Sequence, residues 1–148
     1  NVEICVSASI PNANPLTVII PFLTNSEVKL SGYTQEEIES LIAKLHRLGA
    51  KNVILTGVSF DNDKLGSAIS DGSKIEYDFN QRLTRMSHGT GDVFASLFAG
   101  AVMRGKTALE AAALAADIVC EAINATSDDH WYGVSFEKVM PSLVNAIG

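Results

Sequence analysis

Apolar residues recur along this chain with different periods, and each period predicts an element. Ile38, Leu41, Ile42, Leu45 and Leu48 are three and four apart. That is the spacing of one helix face, so residues 35–48 are expected to form an amphipathic helix. Thr34 and Glu37 supply a capping box at its start and Gly49 a stop at its end. Val53, Ile54 and Leu55 follow as an unbroken apolar run, suited to a strand buried on both faces. Residues 16–20 form a similar run, and Val2-Glu3-Ile4-Cys5-Val6 alternates as a short strand does. Strand, helix and buried strand in succession are the unit from which parallel sheets are built.

The pattern then changes. Residues 65–70 and 74–80 read as a hairpin across Asp71-Gly72, with Ile75, Tyr77 and Phe79 alternating along its second strand. Two helices are expected next. One covers 92–104 and is stopped by Gly105; the other starts at Thr107, where Glu110 completes a second capping box. Ala111, Ala112, Ala113, Ala115 and Ala116 make the second helix thin, which permits close approach to its neighbour. A last helix near 136–147 restarts at Pro141. No internal repeat or low-complexity segment interrupts this order, and 148 residues with 47% hydrophobic content suffice for one compact α/β domain.

The candidate chemistry sits at His88-Gly89-Thr90-Gly91-Asp92, just before the first of the two apolar helices. Gly89 and Gly91 can take backbone angles closed to other residues, so consecutive N–H groups can line one concavity at the positive end of the helix dipole. Asp92 would stand at the edge of that nest, placed to take a proton from an alcohol attacking a phosphorus held there. The packing of the two following helices would fix the nest. The plainer alternative is a tight turn with Asp92 as a helix cap.

The signature 88–92, its continuation through Val93-Phe94-Ala95-Ser96-Leu97-Phe98-Ala99-Gly100-Ala101-Val102, the run Gly49-Ala50-Lys51-Asn52-Val53-Ile54-Leu55-Thr56-Gly57 and Trp131-Tyr132-Gly133-Val134 resemble the ribokinase-like superfamily of small-molecule kinases. The resemblance runs from about Gly32 to the C-terminus and is strongest to the vitamin B6 branch, the pyridoxal and pyridoxamine kinases. Sugar kinases of the superfamily usually carry Gly-Ala-Gly-Asp, whereas Thr90 is similar to the vitamin-kinase form. Hydroxymethylpyrimidine kinases typically have Cys where this chain has Asp92.

The resemblance implies a partial ribokinase-like α/β fold, a mostly parallel sheet flanked by helices with a β-hairpin, and ATP-dependent phosphorylation of the hydroxymethyl group of a B6 vitamer, with Mg2+. On matching positions it makes Asp92 the catalytic base and Gly89, Thr90 and Gly91 the anion hole. Thr56 and Gly57 match contacts to ATP phosphates at a strand end, where open α/β sheets bind ligands. Thr56 as a simple strand terminator is the alternative. Leu83 and Thr84 lie where the family lines the nucleotide pocket, and Val119 and Ile123 are candidates for apolar contact to adenine, although a periodic apolar face also serves as plain core. His88 is expected to order the loop rather than take part in catalysis.

The resemblance departs from the family near the start. A Pro-Asn-x-x-Glu element usual there is broken: Pro21 is followed by Phe22. Asn25 and Glu27 are candidates for shifted counterparts, Glu27 on the metal side, but the change of register leaves the magnesium ligands unmatched. Family members are longer, and their N-terminal half supplies sheet strands, vitamin-binding residues and an acidic metal-site motif. Residues 1–148 are therefore expected to be a single domain, the C-terminal, nucleotide-binding half, inactive alone and with a sheet edge that invites a homodimer. A hydroxymethylpyrimidine or sugar kinase, or a noncatalytic nucleotide-binding or assembly fragment, remain the alternatives.

A formal net charge of −6 argues against nucleic-acid or anionic-membrane partners, which ask for clustered Lys and Arg. Charged residues punctuate the most hydrophobic region, and the N-terminus lacks the basic-then-apolar order of a signal peptide, so a soluble cytoplasmic protein is expected. Cys5 and Cys120 match no metal spacing and are expected as buried thiols. His46 is expected on the solvated side of its helix. Asp128 and Asp129 hint at metal beside His130-Trp131-Tyr132, but a loop packing its aromatics on the body is favoured.

Overall fold

The computed structural model describes residues 17–21, 33–61, 63–83, 89–127 and 133–148. The expected strand at 2–6, Cys5, Asn25, Glu27, Thr84, His88 and residues 128–132 lie outside them. The chain divides into two compact units, Asn1–Arg82 and Leu83–Gly148.

In the first unit, β1 (Thr17–Pro21), β2 (Asn52–Val58), β3 (Lys64–Ser70) and β4 (Ile75–Gln81) form a sheet in that order. β1 and β2 pair in parallel, from Thr17 opposite Asn52 to Pro21 opposite Thr56. Parallel neighbours need a crossover, and α1 (Gln35–Arg47) lies in it. The expected strand–helix–strand unit and the hairpin are both present. The other two pairings, β2 with β3 and β3 with β4, are antiparallel. Among the described strands the parallel share is thus smaller than a mostly parallel sheet implies, because the short 59–63 link lets β2 turn straight back into β3.

α1 starts at the expected capping box, with Thr34 and Glu37 bonded reciprocally. It ends in a Schellman motif: Gly49, at φ 105°, donates to the His46 carbonyl, and Ala50 donates to that of Leu45. Ile38 and Ile42 pack with Val53, Leu55, Val58 and Ala68, with Leu41, Leu45, Ile75, Tyr77 and Phe79 around them. Leu48 is a correction: at the C-cap the backbone leaves the helical face, and its side chain is 81% exposed. Ile54 is buried too, so β2 is covered on both faces as its apolar run predicts.

His46 is the second correction. It is half-buried, with Nδ1 2.7 Å from the Ala50 carbonyl and Nε2 2.8 Å from Ser70 Oγ. A carbonyl only accepts, so Nδ1 carries a proton; in the neutral ring Nε2 then accepts from the Ser70 hydroxyl. Ser70 Oγ also accepts from the Gly72 amide at 3.2 Å. One imidazole thereby ties the end of α1 to the β3–β4 turn. In that turn, Asp71 Oδ1 accepts from the Ser73 amide and hydroxyl and from the Lys74 amide. Those bonds, the Ser73 hydroxyl foremost, lower the Asp71 pKa to about 2.

The second unit is helical: α2 (Thr90–Met103), α3 (Ala108–Ala125), a 3-10 turn (Phe136–Val139) and α4 (Met140–Ile147), which restarts at Pro141 as expected. α2 ends in a second Schellman motif through Gly105 and Lys106, and α3 opens on the Thr107–Glu110 capping box. α3 packs on α2, with Ala111, Ala112 and Ala115 fully buried. Ile118, Ala122, Val134 and Val139 make the core, joined by Val93, Leu97, Leu114, Ile123 and Leu143. Cys120 is half-buried rather than buried, being on the side of α3 next to that core stripe. Among the described residues no helix is long and apolar enough to cross a membrane.

Candidate active site

The three long helices all carry an acidic residue at the third position, and what that residue does differs. In α1 and α3 a threonine is the N-cap, and Glu37 or Glu110 reaches back 2.8 Å to its amide. That bond, first among the causes, lowers the Glu110 pKa. In α2 the N-cap is Gly89, there is no side-chain cap, and the third residue is Asp92. The plain turn-and-cap alternative placed Asp92 at the cap itself; the helix instead begins two residues before it, at Thr90.

Gly89 stands at φ 81°, ψ −1°, the left-handed region that L side chains rarely occupy. This turns the chain so that the helical ladder opens with the Val93 amide donating to the Gly89 carbonyl at 3.1 Å. The amides of Thr90, Gly91 and Asp92 precede that first bond and point out along the positive end of the helix dipole. Gly91 is not among the positive-φ glycines; it lies inside the first helical turn. The expectation that both glycines take special angles is therefore half met. The turn falls one residue before the helix, and a glycine within the helix needs no such angle.

Gly89, Gly91 and Asp92 are exposed, and Thr90 is half-buried. The Asp92 carbonyl accepts from Ser96 Oγ at 2.8 Å. A row of amides at the dipole's positive end, with a carboxylate in the same turn, can hold an anion and accept a proton beside it.

The other expected phosphate contacts lie in the first unit. Thr56 and Gly57 fall near the end of β2, but the strand continues to Val58, so Thr56 does not terminate it. Gly57, at φ 78°, marks an irregularity in the pairing of β2 with β3. Leu83, Val119 and Ile123 are half-buried in the second unit, and Ile123 packs on the Ile118–Ala122 core. Among the described residues no three His, Cys, Asp or Glu side chains gather where they could hold a metal ion.

Residues 8–134 match the family described as phosphomethylpyrimidine kinase. The chain belongs to this family. It is 30% identical over 138 residues to a pyridoxal kinase of Dictyostelium discoideum, covering 81% of this chain and 41% of that protein. A Bacteroides thetaiotaomicron protein described as a phosphomethylpyrimidine kinase, solved with pyridoxal, superposes with a TM-score of 0.70 at 26% identity, over 77% of this chain and 42% of its own. The pyridoxal kinase of Staphylococcus aureus, solved with AMP-PCP, gives 0.60 at 25%, over 69% and 38%. The ribokinase-like α/β assignment stands on these likenesses. The chain spans about two fifths of the length of the relatives it matches.

Proposed function

We propose that this chain supplies the ATP-phosphate cradle and the catalytic base of a kinase that phosphorylates the hydroxymethyl group of a B6 vitamer. The observation that carries this reading is the start of α2. Its glycine cap leaves the third-position carboxylate of Asp92 out of any capping box, exposed beside the first-turn amides. Glu37 and Glu110 show what that position does when it serves only the helix.

In the proposed reaction the amides of Gly89, Thr90 and Gly91 face the charge on the γ-phosphoryl group. Asp92 takes the proton of the vitamer hydroxyl as its oxygen bonds to phosphorus. The bond from that phosphorus to the β–γ bridging oxygen breaks, and ADP leaves with the electron pair. Thr56 and Gly57 would contact the phosphates, and Leu83, Thr84, Val119 and Ile123 the rest of the nucleotide, with His88 ordering the loop. Magnesium accompanies ATP in such transfers. Glu27, outside the described residues, is the candidate that would hold it, through its carboxylate and the ATP phosphates.

The relatives' names support pyridoxal-type acceptors, whereas the family's description names a phosphomethylpyrimidine, which keeps a pyrimidine acceptor such as hydroxymethylpyrimidine as the alternative. Alone, the 148 residues would lack an oriented acceptor, since positioning supplies roughly 7 to 11 kcal/mol of such a barrier and most of the relatives' length is unmatched.

The test is Asp92→Asn in the full-length protein, assayed with Mg-ATP against pyridoxal, pyridoxine, pyridoxamine, hydroxymethylpyrimidine and a sugar. A lost general base lowers kcat by about 10²- to 10⁴-fold, with ATP affinity nearly intact. Parental kcat in the variant would remove Asp92 from the role, and turnover restricted to another acceptor would move the substrate assignment.

A further inference from the structure

The residue that interrupts β2 does so in a way the strand's own packing requires. Thr56 pairs with Ser67 and Val58 with Gly66, so Gly57 is one extra residue on β2, in the left-handed region at φ 78°. That is a glycine β-bulge, which bends a strand and re-aims the side chains beside it. Val53, Leu55 and Val58 all join the cluster around Ile38 and Ile42. Leu55 and Val58 are three apart, and residues three apart on an unbroken strand face opposite sides. The bulge alone lets Val58 return to the core while Thr56 stays on the face of Ile54.

The partner strand cannot slide to absorb a change at this point. Gly66 lies opposite Phe79, and a Cβ on Gly66 would collide with the Asp78 carbonyl oxygen and stand 2.8 Å from Phe79 Cα. β3 is therefore seated tightly on β4 where it faces the bulge, and the register of Thr56 is fixed from both sides. Ser59 reinforces the exit from β2, its hydroxyl directed at the Asp61 and Lys64 carbonyls, the latter at 2.8 Å.

We infer that the Gly57 bulge, held in register by Gly66, sets the orientation of Thr56 and of the Gly57 backbone toward the nucleotide phosphates, making Gly57 a positioning residue. This rests on the proposed function, because it takes Thr56 and Gly57 as phosphate contacts. Side chains tolerate the positive φ of Gly57 unequally. Asn tolerates the left-handed region, Ala does so poorly, and β-branched Val is all but excluded from it.

The experiment compares Gly57→Asn, Gly57→Ala and Gly57→Val in the full-length protein. It reads ATP KM, acceptor KM, AMP-PCP affinity by calorimetry and melting temperature. ATP KM is expected to rise least in Gly57→Asn and more in Gly57→Ala, in the order in which these residues tolerate the left-handed region. Gly57→Val is expected to raise it about tenfold or more, on the scale of one weakened hydrogen bond to a charged group, with acceptor KM unchanged. A folded Val variant with parental ATP affinity overturns the inference, and so does a folded Asn variant that loses as much affinity as the Val variant. If the Val variant does not fold, the Ala variant is read by the same rule. Parental protein that binds no AMP-PCP would instead overturn the proposed function, a result separable from all of these.

Discussion

Around Ile42, in Asn1–Arg82, the interior is filled by large side chains: Ile38, Ile42, Val53 and Leu55 are each at most 2% exposed. In Leu83–Gly148 the fully buried positions of α3 are Ala111, Ala112, Ala115 and Ala122. A helix on a sheet leaves a gap that branched side chains must fill, whereas two helices approach closely only if one is thin. The same contrast holds for the two glycines proposed to meet phosphate. Gly57 lies within a paired strand, and its geometry is tied to Val58 and Gly66; Gly89 is exposed, with nothing within 4 Å of where its Cβ would be. One depends on the surrounding sheet, the other on its own backbone angle.

The contrast makes opposite demands on substitution, and these can be measured. Ile42→Ala is expected to destabilise by about 2–5 kcal/mol in urea unfolding, because the surrounding sheet cannot collapse onto the cavity. Ala122→Leu should destabilise by about 1–3 kcal/mol by overfilling the Ile118–Val139 core. A neutral Ala122→Leu would mean the helical unit has slack and that its alanines do not fix the start of α2.

The two glycines of the nest separate next. Gly89→Ala forces an L side chain to a positive φ, with a loss of about 1 kcal/mol or more. Gly91→Ala falls within the helix, where alanine is favoured by up to about 1 kcal/mol, so melting temperature should hold or rise. If Gly91→Ala lowers stability as much as Gly89→Ala, the helix does not begin at Thr90. If it weakens AMP-PCP binding without lowering stability, the room that Gly91 leaves belongs to the anion.

The smallest effect lies in the hairpin turn. Asp71 titrates at about 2 in the folded chain against an ordinary 3.8. A lowered carboxyl pKa contributes stability that is fully present above the ordinary value and is lost as pH falls through the folded one. The turn should thus hold through pH 4 and loosen toward pH 2. An NMR titration of the Asp71 carboxyl placing its midpoint near 3.8 would show that the Ser73 and Lys74 bonds do not persist in solution.

What the sequence determined by itself was local. Both capping boxes, the glycine stops at 49 and 105, the hairpin across Asp71-Gly72 and the Pro141 restart each depend on residues within one turn of one another, and each stands where the pattern put it. The glycine–hydroxyl–glycine–acid signature was legible for the same reason, since it is four consecutive residues. Tertiary structure decided what depends on distant partners. His46 turns inward because Ser70, 24 residues later, meets its ring. β2 pairs antiparallel with β3, and Gly57 becomes a bulge only because Val58 must reach the helix face while Gly66 holds the opposing strand. Periodicity reports which side of an element is apolar. Register, and the angle at which a strand end meets its neighbours, are set by steric contact between segments far apart in the chain.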